Sequence, residues 1–314
     1  MPVLSWLAAG IPVALLVTGC AGTPVTPDPD QRPAVAVSFF PMADAAGRIA
    51  GDAVEVVDLT PPGVSPHEVE ITPPQRAAVE SAGALVYLGS GLQPTVQRLA
   101  DAVAGDVRTV DLLAAVELLP VTAPAPGFDE VDGEVLAGGT DPHVWLSPRR
   151  FSTMVGELAG VLGELAPGSR AEIESAAAAY RAELAALDQA FGERLARCES
   201  TALVTGHRAF EYLARDYGLT QVPIGGLDPA AEPDPRAIQA AAAAARAAGA
   251  TTVFVEDELP PGLAETVARE IGADTAVLGS IETITQEELD AGASYLSIQR
   301  DNLDALAAGL RCDG

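Results

Sequence analysis

Apolar positions along the chain follow two alternating rhythms. Short Val- and Leu-rich runs stand at 33–37, 54–59, 85–89, 107–111, 201–205, 221–224, 252–255 and 275–278. Between them lie longer stretches with apolar residues at helical spacing, ending at residue 50, starting at 73, and covering 91–104, 209–217, 236–248, 263–271 and 294–310. Strands alternating with helices at this spacing predict an α/β protein with mainly parallel sheets and right-handed crossovers. Thr72 is placed to cap the helix after it, with Pro73 and Pro74 in the first turn, where the backbone N–H groups lack helical partners. The alternation is interrupted once, by a helix over 148–165, a break at Pro167-Gly168, and a long helical run over 169–197 that Ser169 can cap. At 1.5 Å per residue that run reaches on the order of 40 Å and acts as a rigid strut.

The pattern before the interruption resembles the pattern after it, and 314 residues are enough for two cores. The chain therefore reads as an N-terminal lobe over 33–147, a connecting region over 148–198, and a C-terminal lobe over 199–314. Residues 4–17 are apolar but shorter than the roughly 20 residues of a comfortable membrane span. They end in Val17-Thr18-Gly19-Cys20, which follows signal-peptide grammar and resembles the lipobox of bacterial lipoproteins. On that reading residues 1–19 are a signal peptide, Cys20 is the lipid attachment site, and the proline-rich stretch 20–32 tethers an extracytoplasmic body to the membrane.

Charge narrows the partners. The net charge of −26 repels nucleic acid, and every basic residue is Arg. We expect a monomer. The stretch 115–140, rich in Pro, Gly and acidic residues and without periodicity, reads as a mobile loop beside the functional site. It holds no histidine, only carboxylates such as Asp129, Glu130, Asp132 and Glu134. Apart from Cys20 the only cysteines are Cys198 and Cys312. In an oxidising compartment an even pair favours a Cys198–Cys312 disulfide, with two buried thiols as the alternative.

Candidate chemistry rests on the three histidines, His67, His143 and His207. Each falls in a turn leading into a helix, and in parallel sheets such turns beyond the strand ends are where ligands bind. Three histidines so placed point to one metal ion held between the lobes. Asp141 and Glu68 flank two of them and either orient imidazole N–H groups or stand as solvated surface carboxylates. Trp145 either walls the site or fills the core. Gly89-Ser90-Gly91 lacks the Gly-Lys-Ser/Thr of a phosphate loop and reads as a turn.

Four segments carry a resemblance. Pro61-Pro62-Gly63-Val64-Ser65-Pro66-His67-Glu68, Asp141-Pro142-His143-Val144-Trp145-Leu146-Ser147-Pro148, His207-Arg208-Ala209-Phe210-Glu211-Tyr212-Leu213 and Tyr295-Leu296-Ser297-Ile298-Gln299-Arg300-Asp301-Asn302-Leu303 resemble the metal-specific solute-binding lipoproteins of bacterial ABC importers for zinc and manganese. The likeness runs from about residue 35 to 310. It implies two (β/α) lobes joined by one long backbone helix, a metal site between them, and an ABC permease with its ATPase as partners. It matches His67, His143 and His207 to the family's nitrogen ligands. The family's fourth ligand is a carboxylate in the loop after the last strand. Here Gly279-Ser280-Ile281-Glu282 resembles the branch that carries Asn-Pro-Leu-Glu, without its Asn-Pro, which makes Glu282 the expected fourth ligand and leaves Glu256 and Asp257 in reserve.

Three imidazoles and one carboxylate form a nitrogen-rich tetrahedral set that suits Zn²⁺, whereas manganese favours more oxygen. Zn²⁺ is thus the expected cargo, its affinity falling below about pH 6 as imidazoles protonate. Manganese import and a metal-dependent adhesin or metallochaperone of the same fold are the alternatives. A zinc enzyme is disfavoured, because His67-Glu68-Val69-Glu70-Ile71 lacks the second histidine of His-Glu-x-x-His and a Glu282 ligand closes the coordination sphere.

Overall fold

The computed structural model describes residues 32–121, 125, 139–229, 233–256 and 262–313. The leader, Cys20, the tether, most of the 115–140 loop and Asp257 lie outside the described residues.

The chain builds two parallel four-stranded sheets. In the first, β1 (Ala34–Val37), β2 (Glu55–Asp58), β3 (Ala84–Tyr87) and β4 (Arg108–Asp111) lie in the order β2-β1-β3-β4. In the second, β5 (Ala202–Thr205), β6 (Thr220–Pro223), β7 (Thr252–Val255) and β8 (Asp274–Val277) repeat that arrangement as β6-β5-β7-β8. Among the described residues every pairing between these strands is parallel. The crossovers are helical. In the first lobe they are α1 (Phe40–Ala50), α2 (Pro73–Ser81) and α3 (Pro94–Val103). Next come α4 (Pro148–Leu165) and the long α5 (Arg170–Arg194). The second lobe adds α6 (Glu211–Asp216), α7 (Pro235–Ala247), α8 (Gly262–Ile271), the short α9 (Gln286–Asp290) and α10 (Tyr295–Gly309).

Local chemistry explains most of the boundaries. Thr72 and Gln75 form a reciprocal capping box at the start of α2, and Ser294 and Ser297 do the same for α10. Asp234 accepts from the Arg236 and Ala237 N–H groups at the start of α7. Helix α3 begins at Pro94 rather than at residue 91, because Ser90 and Gly91 both take positive φ, 56° and 81°, and hold a tight turn open before it. Ser169 does not cap α5. It belongs to a 3-10 turn, Pro167–Ser169, that runs straight into the helix, so its side chain has no exposed N–H to serve. Sequence periodicity misses α9, which is too short to show a repeat and is set by the Thr285–Glu288 capping box.

The two lobes share one core. Strand residues alternate between faces, and Ala36 and Leu85 pack under α2 and α3 while Val35, Val37, Ala84 and Val86 face the other way. In the second sheet Val204 and Val253 pack against α7 and α8, and Leu203 and Phe254 turn inward. The inward faces meet in a single continuous cluster that includes Phe151 and Leu158 of α4, Tyr180 and Leu184 of α5, and Leu303 and Leu306 of α10. The 25 residues of α5, about 37 Å long, thus run along apolar surface from both lobes. At the end of the chain a Cys198–Cys312 disulfide joins the segment after α5 to the segment after α10. Among the described residues no helix is long and apolar enough to cross a membrane.

Candidate metal centre

Loops that leave the carboxyl ends of strands in both sheets carry the clustered polar residues. His67 stands in a 3-10 turn, Pro66–Glu68, after β2; Ser65 starts the turn by accepting from the His67 N–H at 3.3 Å. His143 directly precedes another 3-10 turn, Val144–Leu146, that leads into α4. His207 follows β5 by two residues, and Glu282 lies in the loop after β8. Close approach of two loops sets the His207 turn. Gly225 N–H donates to the Gly206 carbonyl at 2.7 Å, and a Cβ at Gly225 would lie 2.9 Å from that oxygen, so any larger residue pushes the turn away.

Glu282 owes its direction to long-range contacts. Ile281 is buried with φ +58°, a left-handed conformation that costs a β-branched residue on the order of 1–2 kcal/mol. The surrounding bonds hold it there. Asn302 of α10 accepts from the Gly279 N–H and donates to the Gly279 carbonyl, both at 2.8 Å. The Trp145 indole N–H donates to the Ser280 carbonyl at 2.9 Å, and the Ser280 hydroxyl accepts from the Glu282 N–H at 3.1 Å. The same helix grips the central stretch, since Tyr295 donates to the Trp145 carbonyl and Gln299 to the Leu146 carbonyl. The Tyr295–Leu303 motif thus acts as a clamp on the loops of the site. Trp145 is at once a fully buried core residue, 4.9 Å from the Phe39 ring, and a neighbour of His143 at 5.2 Å.

His67, His143, His207 and Glu282 each offer one atom to a cluster in which all four lie within 4.8 Å of one another. Glu282 Oε2 is 3.5 Å from His67 Nε2, and Glu282 Oε1 is 3.4 Å from His143 Nε2 and 3.1 Å from His207 Nε2. The edge of a tetrahedron with bonds of about 2.0–2.1 Å is about 3.3 Å; the three carboxylate–imidazole separations lie near it, while the set as a whole, within 4.8 Å, is wider and would close around an ion. His67 Nε2, His143 Nε2 and Glu282 Oε2 are buried and have no hydrogen-bond partner. Such orphans cost about 1–3 kcal/mol each, and one cation at their centre satisfies all of them.

Two of the imidazoles are held from behind by carboxylates. Asp141 Oδ1 takes the His143 backbone N–H at 2.9 Å and the His143 Nδ1 at 2.8 Å. Glu256 Oε1 takes the His207 backbone N–H at 3.0 Å, and Glu256 Oε2 bonds His207 Nδ1. A proton on Nδ1 leaves the Nε2 lone pair for the cluster. Glu256 therefore stands on the far edge of the His207 ring and contributes no atom to the converging set. Of the two carboxylates that flank histidines in sequence, Asp141 reaches its imidazole, while Glu68 is exposed on the wall of a cavity of about 360 Å³ beside Ser65, Ile281 and Thr283. The charges within the cluster are coupled. Burial alone would lower the His207 pKa, but the carboxylates of Glu256 and Glu282 outweigh it and hold the imidazole well above its usual range. Burial would likewise raise Glu282, yet His207 and His67 hold it well below the ordinary carboxylate value.

Known proteins share this chain's sequence and architecture. The family described as zinc-uptake complex component A, periplasmic (ZnuA), matches residues 35–309. The zinc-binding lipoprotein AdcA of Streptococcus pneumoniae is 32% identical over 307 residues, covering 98% of this chain and 60% of AdcA. The high-affinity zinc uptake system protein ZnuA of Bacillus subtilis is 30% identical over 300 residues, 94% of each chain. The crystal structure of the Zn(II)-bound ZnuA-like domain of S. pneumoniae AdcA superposes with a TM-score of 0.74 at 32% identity, covering 89% of this chain and 99% of that domain. This chain spans about 60% of the length of the pneumococcal relative. A match over nearly all the described fold, joined to the two-sheet architecture and the cluster between them, places the chain in the zinc-uptake complex component A (ZnuA) family.

Proposed function

We propose that this chain captures Zn²⁺ outside the cytoplasm and hands it to the permease of an ABC importer, with His67, His143, His207 and Glu282 as the ligands. The observation that carries the reading is the buried set of three imidazoles and one carboxylate whose ligand atoms converge to within 4.8 Å of one another. Its donor chemistry favours Zn²⁺ over Mn²⁺. Four protein ligands leave no open position for a reactive water, and the His67-Glu68 pair lies in a 3-10 turn rather than on a helix, so we assign binding and delivery rather than catalysis. The reading includes removal of residues 1–19, lipid attachment at Cys20, and a monomeric body made of the lobes 33–147 and 199–314 around the connecting region 148–198.

Calorimetric titration of the metal-stripped chain tests the proposal. We expect one tight Zn²⁺ equivalent and much weaker Mn²⁺. Equal affinity for the two metals, or no tight binding of either, would overturn it.

Proton release provides a second reading of the same site. A protonated His207 cannot coordinate, and its pKa is raised in the metal-free protein. Zinc affinity therefore climbs with pH through the neutral range, a higher window than the fall below about pH 6 expected from sequence, because the carboxylates of Glu256 and Glu282 raise the His207 pKa above the ordinary imidazole value of about 6.5. Titrations near pH 7 in buffers of different ionisation enthalpy should show about one proton released per zinc. A binding enthalpy independent of the buffer would contradict protonation of His207 in the empty site.

A further inference from the structure

The structure assigns Glu256 a role as the positioning residue of His207: it fixes the tautomer and tilt of that imidazole and so completes the zinc site without touching the ion. This rests on the zinc-binding reading above and deepens it.

The carboxylate is nearly fully buried, and both of its oxygens are committed to one residue, Oε1 to the His207 backbone N–H and Oε2 to Nδ1. Two simultaneous bonds fix two things. The backbone bond sets where the turn after β5 lies, and the ring bond sets how the imidazole is rotated about χ2. With the ring so held, Nε2 faces Glu282 Oε1 at 3.1 Å. Both oxygens face His207, and Glu256 adds no atom to the converging set.

Glu256 is well placed for this because it is the residue directly after β7. Strand β7 pairs with β5 through Val204 and Val253. That register sets the end of β7 beside the turn that carries His207, 49 residues away in sequence. Asp141 holds His143 in a comparable way, but with a single oxygen and from only two residues upstream. The first lobe's arrangement is built into one turn, whereas the second lobe's depends on its sheet. Partners that orient a ligating imidazole and raise its basicity typically account for 10- to 100-fold in metal affinity.

A double-mutant cycle separates a positioning role from a ligand or a purely structural one. Zinc dissociation constants of the full chain are measured by competition with a chromophoric chelator, in the parent, E256A, E256Q, H207A, and the E256A/H207A and E256Q/H207A chains. We expect E256A to weaken binding 10- to 100-fold and E256Q to fall between E256A and the parent, since the amide keeps one acceptor where the carboxylate has two. In the H207A background both substitutions should change affinity less than twofold, because the group they act through is gone. The isosteric E256Q chain carries the test if E256A fails to fold. An equal loss in both backgrounds would overturn the inference and point to a direct ligand or to a general effect on the fold. Full affinity in E256Q and E256A would overturn it as well. Absence of zinc binding by the parent chain is a separate result, and it would sink the proposed function itself.

Discussion

The His143→Ala chain should lose tight zinc binding while keeping its fold. His143 is fully buried and central to the cluster, its ring centroid 5.5 Å from those of both His67 and His207. Zinc held by four protein ligands gains on the order of 10–16 kcal/mol near neutral pH. An even share per ligand is about 3 kcal/mol, or roughly two orders of magnitude in affinity. The true loss should exceed this, because removing His143 also leaves Asp141 buried without the ring it holds. A water filling the gap can return part of the coordination, so binding weakens rather than vanishes. The check is calorimetric titration of the variant beside the parent, with thermal unfolding of both metal-free proteins to show that the lobes remain intact. Parent-like zinc affinity in the variant would remove His143 from the ligand set.

Opening the Cys198–Cys312 bridge should lower the unfolding free energy by about 2–5 kcal/mol and leave zinc affinity almost unchanged. The bridge closes a loop with a sequence separation of 114, and on a chain-entropy account a loop of that size stabilises by roughly 4–5 kcal/mol. The lower part of the range reflects bonds that remain: Asp313 N–H to the Arg197 carbonyl, Glu199 N–H to the Arg311 carbonyl, and Ser200 N–H to the Leu310 carbonyl. These hold the same junction with or without the sulfurs. Zinc affinity is spared by topology, since Cys198 precedes the amino end of β5 and the site lies beyond its carboxyl end. Denaturant unfolding with and without reductant, and of the Cys198→Ser/Cys312→Ser chain, provides the measurement. An unchanged midpoint would mean that the bridge does not constrain the chain. A parallel loss of zinc affinity would mean that the C-terminal helix transmits strain to the Gly279–Glu282 loop, which it grips through Asn302.

These two expectations draw on different levels of information. What the amino-acid sequence determined alone is what acts over a few residues. Alternation of short Val/Leu runs with helical repeats predicts eight parallel strands in two equivalent sets, and the structure has them. The Thr72–Gln75 box and the prolines after it predict the start of α2, because capping needs only neighbours in the chain. The Asp141-Pro142-His143 unit stands between the two levels: the sequence leaves Asp141 as either an imidazole partner or a solvated carboxylate, and the turn that buries both residues makes it the partner.

Tertiary structure decided whatever depends on which strands and helices end up side by side. Glu256 can be read from sequence only as one more carboxylate after a strand. It becomes the partner of His207 because β7 is the neighbour of β5. The direction of Glu282 depends on Asn302, Trp145 and a left-handed Ile281, and those contacts span up to 135 residues. The Ser169 cap fails for a related reason, since the preceding 3-10 turn had already used the position a cap requires. Local hydrogen bonds and periodicity are properties of a segment and survive in isolation. The cluster of three imidazoles and a carboxylate is a property of two lobes packed on one core, which alone can hold unpartnered polar atoms together out of water.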